Sequence, residues 1–331
     1  MKNDPHLIQV VFEATYRCNS KCIFCYNCWK NDYEVMKEMS IDEIRKVFSK
    51  LPQFDRLAIS GGEPLLRVDI EDVIEVGLKY TDQIALLTNG TLINNEVARS
   101  LSKYNLQVQI PIHGLERTHN KLVGRKDGYR KALHGVAYLK KHGINFAITS
   151  VATSMNIHEM KQVLELGVAI GAKELQVIRF MPGGEGLSNN HLMLSDKEYQ
   201  IMLKSLNEVC GRYNIFGAIG APNIPCRFPE KKYKHIQFGG CSAGIDWLVI
   251  DPSGRARICN HSPTILGDLS RESFSKIWNN PILRSFRNME MIPEVCDDCE
   301  RRLECRGGCR AVAETYYGDL KAPDPLMSKH G

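Results

Sequence analysis

Six apolar runs of strand length, each followed by a stretch of helical periodicity, leave this chain very few architectures. The runs cover residues 7–12, 56–60, 84–88, 106–112, 144–151 and 174–180. Helical stretches between them cover residues 40–50, 70–80, 95–104, 129–142 and 158–167. The first opens on a Ser40-Ile41-Asp42-Glu43 capping box, and the fourth is stopped by Gly143. Strands alternating with helices of this length build parallel βαβ units with right-handed crossovers. Both faces of such a sheet are covered, so its strands read as nearly continuous apolar runs. Six units predict an α/β fold, a partial (β/α)6 TIM-like barrel, whose sites gather at the C-terminal strand ends. Beyond Leu187 the alternation is expected to stop, with one helix to about Tyr213 and then a loop-rich, cysteine-rich segment. The division predicted is a barrel over residues 1–215 and a second domain over residues 216–331.

The cysteines are unevenly spread. Of twelve, four lie before residue 30, none between Cys28 and Cys210, and eight from Cys210 to Cys309. Residues 1–6 are polar and read as no signal peptide, and no run approaches the ~18 apolar residues of a membrane span. A cytoplasmic protein is expected, in which cysteines argue for metal before disulfides. The formal charge of +5 carries no basic run long enough for nucleic acid, but suits an acidic partner such as a peptide leader or a carboxylated macrocycle.

Directly after the first strand comes Cys18-Asn19-Ser20-Lys21-Cys22-Ile23-Phe24-Cys25-Tyr26, a C-x3-C-x2-C loop. Three thiolates on one loop hold three corners of a cubane cluster and leave its fourth iron open. Zinc knuckles, the competing reading, come as C-x2-C pairs closed by a second pair. The loop, with Tyr26 behind its last cysteine, resembles the radical S-adenosylmethionine (SAM) superfamily. That resemblance implies that Cys18, Cys22 and Cys25 hold a 4Fe-4S cluster whose open iron chelates SAM. The reduced cluster would cleave SAM to a 5′-deoxyadenosyl radical that abstracts a substrate hydrogen. Cys28 is read as a packed or spare thiol, since a fourth ligand would close the iron that SAM needs.

Further motifs fall at successive strand ends. The Ser60-Gly61-Gly62-Glu63-Pro64 turn matches the family segment that binds the SAM amino group through backbone and glutamate. Thr88 and Asn89 match its third strand end, where polar side chains face SAM. At the fourth, Pro111 and His113 stand where many relatives carry Ser and Asp. His113 is a candidate for substrate or SAM contact and equally for a structural role; His119 and Gly124 are read as structural. Ser150 and Arg179 are further SAM-contact candidates.

The C-terminal array, Cys241-x12-Gly254-x4-Cys259 and Cys296-x2-Cys299-x5-Cys305-x3-Cys309, resembles the SPASM extension of radical SAM proteins, which holds auxiliary iron–sulfur clusters. The resemblance implies one or two such clusters. Cys241, Cys259 and Cys309, with Cys226 assigned as fourth ligand, would hold the first. Cys296, Cys299 and Cys305 would hold the second. A two-zinc ribbon is the competing reading. Met327 stands where the last cysteine is expected, so the second cluster is predicted open or closed by a donor such as Asp319, Asp324 or His330. Cys210 has the apolar helical spacing of a core residue. Implied is a peptide maturase, or alternatively tetrapyrrole oxidative decarboxylation, with reduced flavodoxin or ferredoxin as electron donor. A non-enzymatic iron–sulfur carrier would need neither the open three-cysteine loop nor the Gly61-Gly62-Glu63 turn.

Overall fold

The computed structural model describes residues 6–27 and 37–328, so Cys28 and His330 lie outside the described residues. Strand β1 (Leu7–Glu13) is followed by helix α1 (Ile41–Phe48), where Ser40 and Glu43 form the expected reciprocal capping box. Then come β2 (Phe54–Ser60), α2 (Ile70–Gly77), β3 (Gln83–Leu87), α3 (Asn95–Leu101) and β4 (Leu106–Pro111). The next helix, α4 (Glu116–Val123), is absent from the sequence expectation. It buries only His119, Leu122 and Val123, too few apolar positions to show a helical period. The six units close with α5 (Gly128–Lys141), β5 (Phe146–Ala152), α6 (Met160–Ala169), β6 (Glu174–Arg179) and α7 (Asp196–Tyr213).

Strands β1 to β6 pair in sequence order and in parallel. The alternation does not stop at Leu187. Helix α7 leads into β7 (Phe216–Ile219), parallel to β6, and β8 (Gln237–Phe238) pairs in parallel with β7. At the opposite edge β9 (Trp247–Ile250) pairs in parallel with β1, and β10 (Arg255–Arg257) and β11 (Ile265–Asp268) add antiparallel pairs. The result is one eleven-stranded sheet in the order β11-β10-β9-β1-β2-β3-β4-β5-β6-β7-β8. These added strands are two to four residues long, too short to register as apolar runs. Short helices α8 (Phe274–Trp278), α9 (Pro281–Arg287), α10 (Arg302–Cys305), α11 (Arg310–Tyr317) and α12 (Pro325–Ser328) complete the chain.

The two faces of the sheet differ. Val10, Phe12, Leu57, Ile59, Leu86, Ile110, Ile148 and Val177 pack with Ile44, Val73, Val136, Leu164 and Leu203 of the helices in one core. Each such side chain contributes about 1.5–3 kcal/mol by leaving water. Residues of the other parity, among them Gln9, Val11, Ala58, Leu87, Gln109, Gln176 and Ile178, line a cavity of about 480 Å³. Cys241, Cys259 and Cys309 line it as well.

Candidate active site

The loop carrying Cys18, Cys22 and Cys25 leaves the C-terminal end of β1 and is held by its backbone. Lys21 N and Ile23 N donate to Val123 O (3.1 Å) and Leu122 O (3.0 Å) at the end of α4. Arg125 Nη1 donates to Asn19 O (3.1 Å), and Gly186 N to Cys25 O (3.2 Å). Gly124, at φ 63°, approaches so closely that a Cβ there would fall 2.4 Å from Lys21 O. The unforeseen helix α4 is therefore what fixes the cysteine loop. None of the eleven described cysteines is in a disulfide. Among the described residues no three His, Cys, Asp or Glu side chains converge tightly enough to hold one metal ion, and a cubane spreads its thiolates over a wider cage than a single zinc ion does.

The Ser60-Gly61-Gly62-Glu63-Pro64 turn docks against the same loop. Gly62 N donates to Thr15 O (2.8 Å) and Glu63 N to Arg17 O (2.7 Å). A Cβ on Gly62 would lie 2.1 Å from Arg17 O, so this glycine is needed for the turn to reach the cysteine loop at all. Gly61 O accepts from Asn27 Nδ2 (3.1 Å), and buried Pro64 starts a single 3₁₀ turn. The Glu63 carboxylate is fully buried and accepts from Thr88 Oγ1 (2.6 Å), Asn89 N (2.8 Å) and Leu65 N (3.1 Å). Burial outweighs these bonds and raises its pKa to about 7. Asn89 Nδ2 continues to Asn19 Oδ1 (2.7 Å), so Glu63, Thr88, Asn89 and the cysteine loop form one hydrogen-bonded unit.

Other sequence candidates are placed differently. His113 is buried; its Nδ1 accepts from Val151 N (3.0 Å), its own N–H donates to His119 Nδ1 (3.1 Å), and Asn156 Nδ2 donates to its carbonyl (2.6 Å). Burial holds its pKa well below the ordinary value, so the ring is neutral and ties β4 to β5. Phe24, which no sequence motif singles out, packs edge-on against the His113 ring with centroids 4.7 Å apart. Ser150 pairs with Val177 and shares its helix-facing side of the sheet, whereas Thr149 pairs with cavity-lining Gln176. Thr149 Oγ1 and Ser150 Oγ are both buried without a partner; Thr149 is named by no sequence motif, and only strand alternation could have found it. Arg179 lies on the face opposite Ile178, where it pairs with buried Asp324 (2.5 Å) instead of facing the cysteine loop. Asp324 Oδ2 also accepts from Cys309 N (2.7 Å), so this carboxylate, a candidate cluster ligand, is already committed. Asp319 is exposed and caps Lys321 N (2.8 Å).

Tyr26 projects into the cavity and stacks on His261, with centroids 4.2 Å apart and an interplanar angle of 26°. Its hydroxyl is bonded to the Asn260 side chain, and burial raises its pKa. The segment carrying Cys259, Asn260 and His261 is held by Arg257, which pairs with Glu13 at the end of β1 and donates to Ser262 O (3.0 Å). Burial lifts Glu13 to about 7 against the lowering by Arg257. His261 Nδ1 is buried without a partner, and desolvation lowers this ring to about 3.

The C-terminal thiols fall into two groups. Desolvation raises Cys259 to about 11 and Cys309 to about 12, and both have Cys241 as a charged neighbour. Cys296 and Cys305 are raised by burial and count Cys299 and Cys226 as neighbours. Cys226, assigned from the sequence to the first group, is a charged neighbour of Cys296 and Cys305 in the second. Cys210 is buried on α7, raised to about 11 by desolvation, and packs against Gly217 of β7, a core thiol as expected.

Residues 12–167 match the family described as the radical SAM superfamily, and residues 241–300 match the SPASM iron–sulfur cluster-binding domain. The chain is a radical SAM enzyme with a C-terminal SPASM domain. It is 26% identical to the AdoMet-dependent heme synthase of Methanosarcina barkeri, covering 98% of this chain and 97% of that one. It is 25% identical to the PqqA peptide cyclase of Rhizobium meliloti, covering 95% and 85%. Among solved structures, Streptococcus suis SuiB bound to precursor peptide SuiA superposes with a TM-score of 0.77 at 15% identity, over 98% of this chain and 76% of that one. An anSMEcpe structure with bound AdoMet gives 0.73 at 20% identity, over 97% and 93%. The cofactors are a 4Fe-4S cluster with SAM, and auxiliary iron–sulfur clusters. No helix among the described residues is long and apolar enough to cross a membrane.

Proposed function

We propose that the protein modifies a ribosomally made peptide by abstracting one hydrogen from it. The observation that carries this reading is the cavity. Its lining offers the side-chain amides of Gln9, Gln109, Gln176 and Asn260, which pair with peptide groups at both donor and acceptor positions. Cys18, Cys22 and Cys25 would hold the cluster that, when reduced, converts SAM into the hydrogen-abstracting radical. Gly61, Gly62, Glu63, Thr88 and Asn89 would position SAM beside it, with Glu63 answering the SAM ammonium. Tyr26, next to Cys25, stacks on His261, two residues from Cys259, and so would pack between the two cluster regions. A reduced flavodoxin or ferredoxin would supply the electron, in the cytoplasm. Residues 1–215 would form the barrel and residues 216–331 the auxiliary-cluster domain.

Oxidative decarboxylation of a tetrapyrrole is the second reading. It is supported by the near-complete mutual coverage with the heme synthase and by Arg56, a carboxylate partner at the cavity mouth. Reduced protein given SAM and either a precursor peptide or a propionate-bearing tetrapyrrole separates the two. Peptide crosslinking removes two hydrogens; conversion of a propionate to a vinyl group removes carbon dioxide and two hydrogens. Product mass from the tetrapyrrole alone would overturn the peptide reading.

A further inference from the structure

We propose that Cys226 supplies the fourth thiolate of the cluster held by Cys296, Cys299 and Cys305, and that the cluster of Cys241, Cys259 and Cys309 keeps one iron open toward the cavity. The inference rests on the auxiliary-cluster assignment and concerns only which thiols hold which cluster.

The segment around Cys226 occupies the place a C-terminal cysteine would take. Three residues before it, Asn223 O accepts from Cys305 Sγ at 3.8 Å. One residue after it, Arg227 Nη1 donates to the carbonyls of Leu326 and Met327, the latter at 3.3 Å. Cys226 is thus bracketed by a contact to Cys305 on one side and a contact to Met327 on the other. The bracket is rigid: Asn223 is buried, accepts from Tyr199 Oη (3.1 Å) and donates to Phe228 O (3.1 Å), and Ile224 is fully buried behind it. The exposed thiol therefore has a fixed position rather than a loose surface one.

The consequence falls on the other cluster. Cys241, Cys259 and Cys309 line the cavity, and Cys226, Cys296, Cys299 and Cys305 do not. With Cys226 used elsewhere, the cavity-side trio has three thiolates for a cubane that takes about four. Asp324, a carboxylate beside Cys309, is committed to Arg179 and Cys309 N. Because these three thiols line the cavity, an iron they leave unligated would be open to it, and an oxygen or nitrogen donor of the substrate could complete it.

The test starts from full-length protein carrying Cys18→Ala, Cys22→Ala and Cys25→Ala, so that only auxiliary iron remains. Adding Cys226→Ala should lower iron per chain and produce a three-iron electron paramagnetic resonance signal on oxidation. Adding Met327→Cys to that variant should restore the iron, which separates lost ligation from misfolding. When Cys241→Ala and Cys259→Ala leave only the second cluster, Cys226→Ala should still remove iron. When Cys296→Ala and Cys299→Ala leave only the first, it should change nothing, and cyanide should shift that cluster's signal. Iron loss from the latter protein on Cys226→Ala would overturn the assignment. A cyanide-insensitive signal that shifts on His261→Gln would overturn the open iron. Absence of any iron from the starting variant would instead refute the auxiliary clusters themselves.

Discussion

Glu63 shows how one side chain serves both packing and chemistry. Its buried carboxylate gathers Thr88 and Asn89 onto the cysteine loop, and its pKa near 7 places its ionisation in the working range. An acid with a raised pKa is neutral below that value and charged above it. In the proposed site the SAM ammonium gains from the charged form, so SAM affinity should rise between pH 6 and pH 8. Glu63→Gln should flatten that rise and weaken binding at pH 8 by roughly tenfold, the worth of about 1.4 kcal/mol. Iron content should hold, because no thiolate is removed. Equilibrium dialysis with labelled SAM under anaerobic conditions reads the affinity, and iron analysis of the same samples reads the cluster content. At this scale the sequence was informative about Glu63 and the cysteines, whose chemistry is intrinsic to residue type. It was less so for Ser150 and Arg179, where the face of the strand decides: Thr149 faces the cavity side and Arg179 answers Asp324, 145 residues away.

At the scale of elements, local signals worked where they were self-contained. The capping box at Ser40 is such a signal, with Glu43 N on Ser40 Oγ (3.3 Å) and Ser40 N on Glu43 Oε2 (2.8 Å). Ser40→Ala should cost about 1 kcal/mol of stability and leave SAM cleavage unchanged, since α1 packs behind β1 and β2. Denaturant unfolding together with a turnover assay checks both halves. What escaped the sequence were elements whose evidence is tertiary. Helix α4 reads as polar but receives Lys21 N and Ile23 N from the cysteine loop. Strands β7, β8 and β9 carry too few residues for a pattern and exist because the edges at β6 and β1 await partners. The proposed place of Cys226 is of this kind too: spacing suggested the nearer set of thiols, and only the contacts of residues 223 and 227 with Cys305 and Met327 argue for the other.

Across the whole molecule, the cysteine-rich segment is bound into the barrel rather than appended to it. β9 extends the sheet beyond β1, Arg179 reaches Asp324, Thr315 Oγ1 donates to Pro182 O (2.6 Å), and Glu13 pairs with Arg257. Glu13→Gln would strand a buried guanidinium and should destabilise by about 3–5 kcal/mol. Because Arg257 holds Ser262 O, the same change should release iron from the Cys241, Cys259 and Cys309 set while the Cys18, Cys22 and Cys25 cluster stays loaded. Iron analysis of that variant against the wild type tests this coupling. The central claim, that three thiolates on the β1 loop leave an iron for SAM, is met most directly by product analysis. Anaerobically reconstituted protein, reduced with dithionite and given SAM, should release 5′-deoxyadenosine, and Cys18→Ala/Cys22→Ala/Cys25→Ala should release none. Undiminished 5′-deoxyadenosine from that triple variant would contradict it.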